Sequence, residues 1–306
     1  MLFSNRVCAT IFSMKNLLFI YNPKAGKGSI GTHLGDIVEI FAESGYRVTI
    51  YPTKCQGDGE VVAKQWAGEF DRVVCAGGDG TLDEIVTGVL LAGVSVPIGY
   101  LPTGSTNDFA RSIGLPRTVK RAAKIAVSDN YFKCDIGRFN SRYFVYVAAF
   151  GLFTDVTYET DQGMKNIFGY TPYLAEAVKR LPSTRPIPLR ITYDDIVISD
   201  NFIVGIITNS ESVGGMKALP GPDVKLNDGI FEVMLVRYPD SILDYNLIGP
   251  AILDRRIKSE NVICFKCTSL KVESDEPIPW NLDGEFGGMV DSALIENMRE
   301  AAEFVV

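Results

Sequence analysis

The sequence predicts an α/β fold: a doubly wound parallel sheet in its first half and an antiparallel β-sandwich in its second. Three observations carry that expectation. From Leu17 to about Ala126, short apolar runs alternate with runs of helical period, the pattern of βαβ units with right-handed crossovers. After about Tyr131, strand pattern follows strand pattern with turn residues between. Three times in the first half, a strand pattern ends in a glycine-containing turn and a helical pattern begins. A chain of 306 residues exceeds what one core usually supports, so two domains are expected. The first covers 14–130 and is rejoined by 289–306; the second covers 131–288.

Taken in order, Leu17–Tyr21 reads as a buried strand, and Ile30, Leu34, Ile37, Val38 and Phe41 share one helical face. Arg47–Tyr51 is a second strand and Val61–Ala67 a helix. Arg72–Ala76 is a third strand, followed by a helix marked by Leu82, Ile85, Val86, Val89 and Leu90. Pro97–Leu101 is a fourth strand, with another helix from about Asp108. KCDIGRFNSRYFVYVAAF reads as a hairpin, and IPLRITYDDIVISDNFIVGIITNS as a second pair of strands. IFEVMLVRY and VICFKCTSLKVES continue the β pattern. Asp155–Arg185 is expected to be partly helical. The closing ALIENMREAAEF is expected to be a short helix packed on the first domain.

Composition narrows the function. With 46% apolar and 22% charged residues the chain is an ordinary globular one. A formal net charge of −7 argues against nucleic acid as the partner, because phosphate neutralisation needs a concentrated basic face. The longest apolar runs are too short or too broken by Gly and Pro to span a bilayer. Scattered cysteines point to a reducing cytoplasm. The Cys264-x-x-Cys267 pair lies in a strand pattern, which sends residues three apart to opposite faces and so disfavours chelation. Residues 1–13 are expected to be a disordered extension ahead of a start at Met14, since they lack the apolar core of a signal peptide.

The motifs lie in the turns. NPKAGKGSIG at 22–31 lacks P-loop spacing but places Gly26, Gly28 and Gly31 between strand and helix, as in a Rossmann-like dinucleotide fingerprint. The next strand ends in Tyr51-Pro52-Thr53-Lys54 with no acid to hold a ribose, which weakens a nicotinamide reading. What remains is a helix start whose N–H groups favour an anion, or a turn with no ligand. GGDGT at 77–81 lets backbone amides converge on phosphate without a Cβ in the way. Asp79 there repels bare phosphate and makes sense with Mg²⁺ nearby. In LPTGSTNDFARSIGLP, Thr106, Asn107 and Asp108 read alone as helix caps. In PWNLDGEFGG, Asp283-Gly284 reads alone as a type I′ hairpin turn.

In combination NPKAGKG, GGDGTLDE, PTGSTNDFAR and NLDGE, in this order, resemble the diacylglycerol kinase catalytic family, with the soluble bacterial lipid kinases nearest. NAD kinases share GGDGT-type loops but would be expected to differ at PTGSTND and to lack LDGE. The resemblance implies an ATP-dependent lipid kinase using Mg²⁺, with diacylglycerol the expected substrate. It implies that Asn22, Pro23, Lys24, Ala25 and Gly26 help hold ATP, together with Thr53, Gly77, Gly78, Asp79, Gly80, Thr81, Thr106 and Glu285. It assigns Asp283 as general base, with Asp79 as the second catalytic acid, and it sets Asp108 and Asp135 in the substrate cleft. KLNDGIF resembles a structural Mg²⁺ loop, which implies Asp228 by side chain and Lys225 and Ile230 by carbonyl oxygen. Asp83 departs from the family pattern, in which Asn is common. The lone histidine, His33, lies in a helix pattern, so a carboxylate base suits the inventory. Expected partners are a lipid substrate at the membrane surface, visited from the cytoplasm, and no nucleic acid. The basic and aromatic stretch Lys165–Arg180 is a candidate for touching that surface, and the sequence leaves a homodimer open. Rival readings are another GGDGT-type kinase such as NAD kinase, or a catalytically silent nucleotide- or lipid-binding protein.

Overall fold

The computed structural model describes residues 14–151, 185–213, 221, 223–253 and 257–306. The expectations for 1–13 and for the stretch between Lys165 and Arg180 lie outside the described residues.

The first half alternates as its periodicity predicts. β1 (Lys15–Tyr21), α1 (Ser29–Glu43), β2 (Tyr46–Pro52) and α2 (Asp58–Trp66) come first. β3 (Arg72–Gly77), α3 (Asp79–Ala92), β4 (Ile98–Pro102), α4 (Asp108–Ser112) and α5 (Val119–Ala126) follow. The strands lie in the order β4-β3-β1-β2 and pair in parallel, with Leu17 beside both Val48 and Arg72. Alternation along β1 makes the sheet two-faced. Leu17 and Phe19 join Ile30, Ile37 and Phe41 of α1 and Ala122, Ala123 and Ala126 of α5 in one core. Leu18 and Ile20 join Val62 of α2 and Leu82, Ile85 and Val86 of α3 in another. Helices therefore cover both faces, as a buried parallel sheet requires.

The second half is antiparallel. β5 (Tyr131–Phe139), β6 (Arg142–Phe144) and β7 (Val147–Gly151) open it, and β8 (Ile187–Tyr193) and β9 (Ile196–Thr208) form the predicted pair. β10 (Phe231–Arg237), α6 (Ile242–Leu253), β11 (Val262–Cys267), β12 (Ser269–Leu282) and β13 (Glu285–Val305) complete it. Their inward residues enclose a core in which Phe139 and Phe150 pack on Trp280, with ring centroids 4.9 and 5.0 Å away. On β11, Cys264 is exposed and Cys267 buried.

The closing segment corrects the sequence reading. ALIENMREAAEF is not a helix but the second half of β13, which pairs with β12 on one side and β5 on the other. It also reaches β4, with Phe304 beside Ile98, so it does return to the first domain, as a strand. Ala293 and Ile295 are buried, and so are Ala302 and Phe304, two period-2 stretches of opposite phase. A register shift between Met298 and Ala302, with Glu300 at φ 52°, is a bulge that absorbs the odd residue. Joined across that bulge the apolar positions imitate a helical stripe. Tertiary pairing overrides the helix propensity of Ala, Glu and Met.

Candidate active site

The C-terminal ends of β1, β2, β3 and β4 open into a cleft of about 820 Å³, where α/β sheets place ligands. Asn22, Lys24, Ala25, Gly26, Thr53, Gly78, Gly80, Thr81 and Glu285 line it. Pro23, Gly77, Asp79 and Thr106 each stand one residue from a lining position. Sequence reasoning missed Lys54, Cys55, Gln56, Glu84, Gly104 and Ser105, which also line it.

Three loops build this cleft. After β1, the Asn22 side chain accepts the Lys24 N–H at 2.9 Å and donates to Thr81 Oγ1 at 3.4 Å, tying the first glycine turn to GGDGT. Gly78 is the N-cap of α3 and is extended, with no side-chain cap, so the first-turn N–H groups have no cap to satisfy them and favour an anion. The PTGSTND loop packs backbone to backbone on this turn: a Cβ on Gly104 would sit 2.6 Å from Gly78 Cα. Asn107, at φ 52°, closes that loop by accepting the Gly104 N–H at 3.0 Å and donating to its carbonyl at 2.8 Å. Glu285 arrives from the distant β12–β13 turn and accepts a bond from Gln56 Nε2 at 3.1 Å. Glu84 caps α2, accepting the Gly57 and Gly59 N–H groups at 2.7 and 3.0 Å.

Behind the cleft stands a group of acids. Asp108 is buried, accepts the Ser212 hydroxyl at 2.8 Å, and gives its N–H to Asp79 Oδ2 at 3.2 Å. Asp79 Oδ1 is buried with no partner among the described residues. Burial, then the charge of Asp108, pushes the Asp79 carboxyl up to about 7. An acceptor-only oxygen left so, in a group of like charges, fits a cation. The GGDGT acid thus suits a divalent cation, should one bind there.

Asp283 and Gly284 both take positive φ, 51° and 90°, as a type I′ turn between β12 and β13 requires. The turn also performs a second task, because Asp283 is buried and accepts three N–H groups. They come from Tyr146 at 3.0 Å, Val147 at 2.8 Å and Val145. Burial raises its carboxyl to about 6, and the three amides hold it from rising further. The Asp83 carboxyl, one turn along α3 from Asp79, is pushed well above the usual carboxylate range by burial and then by the charge of Asp283.

The remaining predicted residues, Asp135 and the 225–230 loop, bind one another. Asp135 is buried, and both its oxygens are engaged, by the Glu300 N–H at 2.7 Å and the Gly229 N–H at 2.6 Å. It fastens the β13 bulge to the 225–230 loop. Asp228 Oδ1 accepts the Ile230 N–H at 3.1 Å. Among the described residues no three His, Cys, Asp or Glu side chains gather to hold a metal. An ion in the loop would rest on Asp228 with the Lys225 and Ile230 carbonyls.

Fold and cleft together define a two-part protein, an α/β half whose glycine turns line the cleft and a β half whose β12–β13 turn brings Glu285 to it. Residues 16–139 match the model of the diacylglycerol kinase catalytic domain. Residues 147–299 match the YegS C-terminal NAD kinase beta sandwich-like domain. The chain is 34% identical over 288 residues to the diacylglycerol kinase of Bacillus subtilis, covering 94% of this chain and 95% of that one. It is 31% identical over 290 residues to the diacylglycerol kinase of Staphylococcus carnosus, covering 94% of each. A Bacillus anthracis crystal structure aligns with a TM-score of 0.81 at 26% identity over 95% of both chains. A second, of a diacylglycerol kinase from the same organism, aligns at 0.74 and 24% over 96% of this chain and 97% of that one, a likeness of fold. The chain belongs to the diacylglycerol kinase family, and is a kinase of the lipid-kinase type. No helix among the described residues is long and apolar enough to cross a membrane.

Proposed function

We propose that the protein transfers the γ-phosphoryl group of ATP to a lipid hydroxyl, with diacylglycerol as the substrate and phosphatidic acid as the product. The observation that carries this reading is the meeting of Glu285, Gly80 and Gln56 at one cleft, while Asp283 stands behind it. The turn that holds the proposed base is thereby continuous with the glycine turns that suit a triphosphate. Phosphoryl transfer needs little covalent help from a protein; it needs position and charge stabilisation. Lys24, Lys54 and the N–H groups at the start of α3 would hold the phosphates, and Thr53, Gln56 and Glu285 the remainder of the nucleotide. Mg²⁺, held with help from Asp79, would offset phosphate charge. Asp283, at about 6, is ionised at neutral pH yet basic enough to accept the proton of the attacking hydroxyl. Asp108 fixes Asp79 through its own N–H. The enzyme would work from the cytoplasm at the inner face of the membrane, visiting it without spanning it.

The test is transfer of label from γ-labelled ATP with Mg²⁺ to a panel of diacylglycerol, phosphatidylglycerol, a sphingoid base, undecaprenol and NAD. Labelled phosphatidic acid is the expected product. Labelled NADP, or no labelled lipid at all, contradicts the proposal.

A further inference from the structure

Glu285 lines the cleft with its two oxygens in different company. Oε2 accepts the Gln56 amide at 3.1 Å, and Oε1 lies 3.4 Å from where a Cβ on Gly80 would stand. Among the described residues, Gln56 is the one side chain that gives Glu285 a hydrogen bond. The backbone on either side of this bond is already fixed. On the α/β side, the Thr53 N–H meets the Tyr21 carbonyl at 2.9 Å and the Lys54 N–H meets Asp58 Oδ2 at 2.8 Å. Glu84 holds the same loop by the Gly57 and Gly59 N–H groups. On the β side, the Gly284 N–H meets Asn281 Oδ1 at 2.8 Å, and the Arg142 guanidinium meets the Phe286 carbonyl at 3.2 Å. What remains to be placed is the Glu285 side chain itself. Its neighbour Glu84 also lines the cleft and repels it: burial raises the Glu84 carboxyl, the two N–H groups oppose the rise, and the charge of Glu285 adds to it.

We infer that Gln56 is a positioning residue for the nucleotide, acting through Glu285: its amide holds that carboxylate against the loop after β2, with the remaining acceptors turned to the ligand. This deepens the kinase reading and rests on it. An ionised carboxylate offers only acceptors, so the nucleotide groups that suit it are donors, hydroxyl or amino, and not phosphate. A carboxylate left free in this cleft would repel the phosphates, and the Gln56 bond is what keeps it in one place. Gln56 and Glu285 are both exposed, and a bond between exposed side chains adds little to folding. Its value appears when a ligand covers it, because excluding water strengthens a hydrogen bond to a charged group.

The experiment is a double-mutant cycle on the full chain: the parent, Gln56→Ala, Glu285→Ala and the double variant, with Gln56→Glu beside them. Titration calorimetry with a non-hydrolysable ATP analogue and Mg²⁺ reads affinity, and γ-label transfer to diacylglycerol in mixed micelles reads KM. Gln56→Ala should weaken the analogue by about 5–10-fold, with KM for ATP rising in step and KM for diacylglycerol within about twofold. In the Glu285→Ala background the same change should alter affinity by less than about twofold, the mark of a residue that acts through its partner. Gln56→Glu, which faces Glu285 with a second carboxylate, should bind more weakly than Gln56→Ala. Effects that add in the double variant overturn the inference, since Gln56 would then meet the nucleotide by itself. Parent-like affinity in Gln56→Ala overturns it too, as does Gln56→Glu binding as well as Gln56→Ala. A parent that binds the analogue but labels NAD in place of lipid removes the lipid-kinase reading and leaves the cycle to decide the role of Gln56. A parent that binds no nucleotide removes both.

Discussion

Asp79→Asn should make the protein more stable while removing its turnover. Asp79 is a half-buried residue whose Oδ1 is shut off from solvent. Its carboxyl is pushed from 3.8 up to about 7, chiefly by burial and then by Asp108. A folded-state value above the unfolded one means that the native protein binds more protons than the unfolded chain between about pH 4 and pH 7. Stability therefore falls as pH rises through that window. Roughly three units at 1.36 kcal/mol each give an upper bound of about 4 kcal/mol lost at pH 8. Asn keeps an acceptor for the Asp108 N–H and removes the charge. At pH 8 in EDTA, thermal unfolding should shift upward, by as much as about 8–15 °C. At pH 5, where the parent's Asp79 is already protonated, the difference should shrink to about 2 °C or less. The assay is calorimetry of both proteins at the two pH values. A variant less stable than the parent at pH 8, or a shift of equal size at both, refutes the reasoning.

Other outcomes follow from named contacts. Gly104→Ala puts a Cβ 2.6 Å from the Gly78 backbone, which cannot swing aside. ATP affinity by titration calorimetry should fall by about 10-fold, with a stability loss of about 1–3 kcal/mol. Asp135→Asn faces two N–H donors, those of Glu300 and Gly229, with only one oxygen. Denaturant unfolding should show a loss of about 1–3 kcal/mol, the cost of an unpaired buried donor.

Glycine turns were legible in the sequence because their rule is local. A strand, a glycine and a helical pattern are enough to place N–H groups at a helix start, and Asn22, Gly26, Gly78, Gly80 and Thr81 all line the cleft. Gln56 and Glu84 were not legible, since Gln56 is defined by a bond to Glu285 across 229 positions. Glu84 did carry a faint signal, an acid one residue beyond Asp83 in a helix whose apolar face was already assigned. The influence of the Asp283 charge on Asp83 is equally non-local, although Asp83 stands four residues after Asp79 and so on the same face of α3. The closing strand misled for a different reason: the bulge at Glu300 changes the phase of burial, and no single period describes both sides of it. The Asp283-Gly284 turn shows the limit of reading motifs alone. Turn chemistry explains its positive φ values, while the three amides from Val145, Tyr146 and Val147 that set its charge belong to another strand's approach.

The central claim is that Asp283 accepts the proton of the attacking lipid hydroxyl while the glycine turns hold ATP. Single-turnover transfer of γ-label from saturating ATP to diacylglycerol, in the parent and in Asp283→Asn, tests it most directly. Asn suits a type I′ turn as well as Asp does, and it cannot act as the base. The account predicts that the rate falls by about 10²–10⁴-fold while ATP affinity stays within about threefold. Transfer by Asp283→Asn at the parent's rate contradicts it.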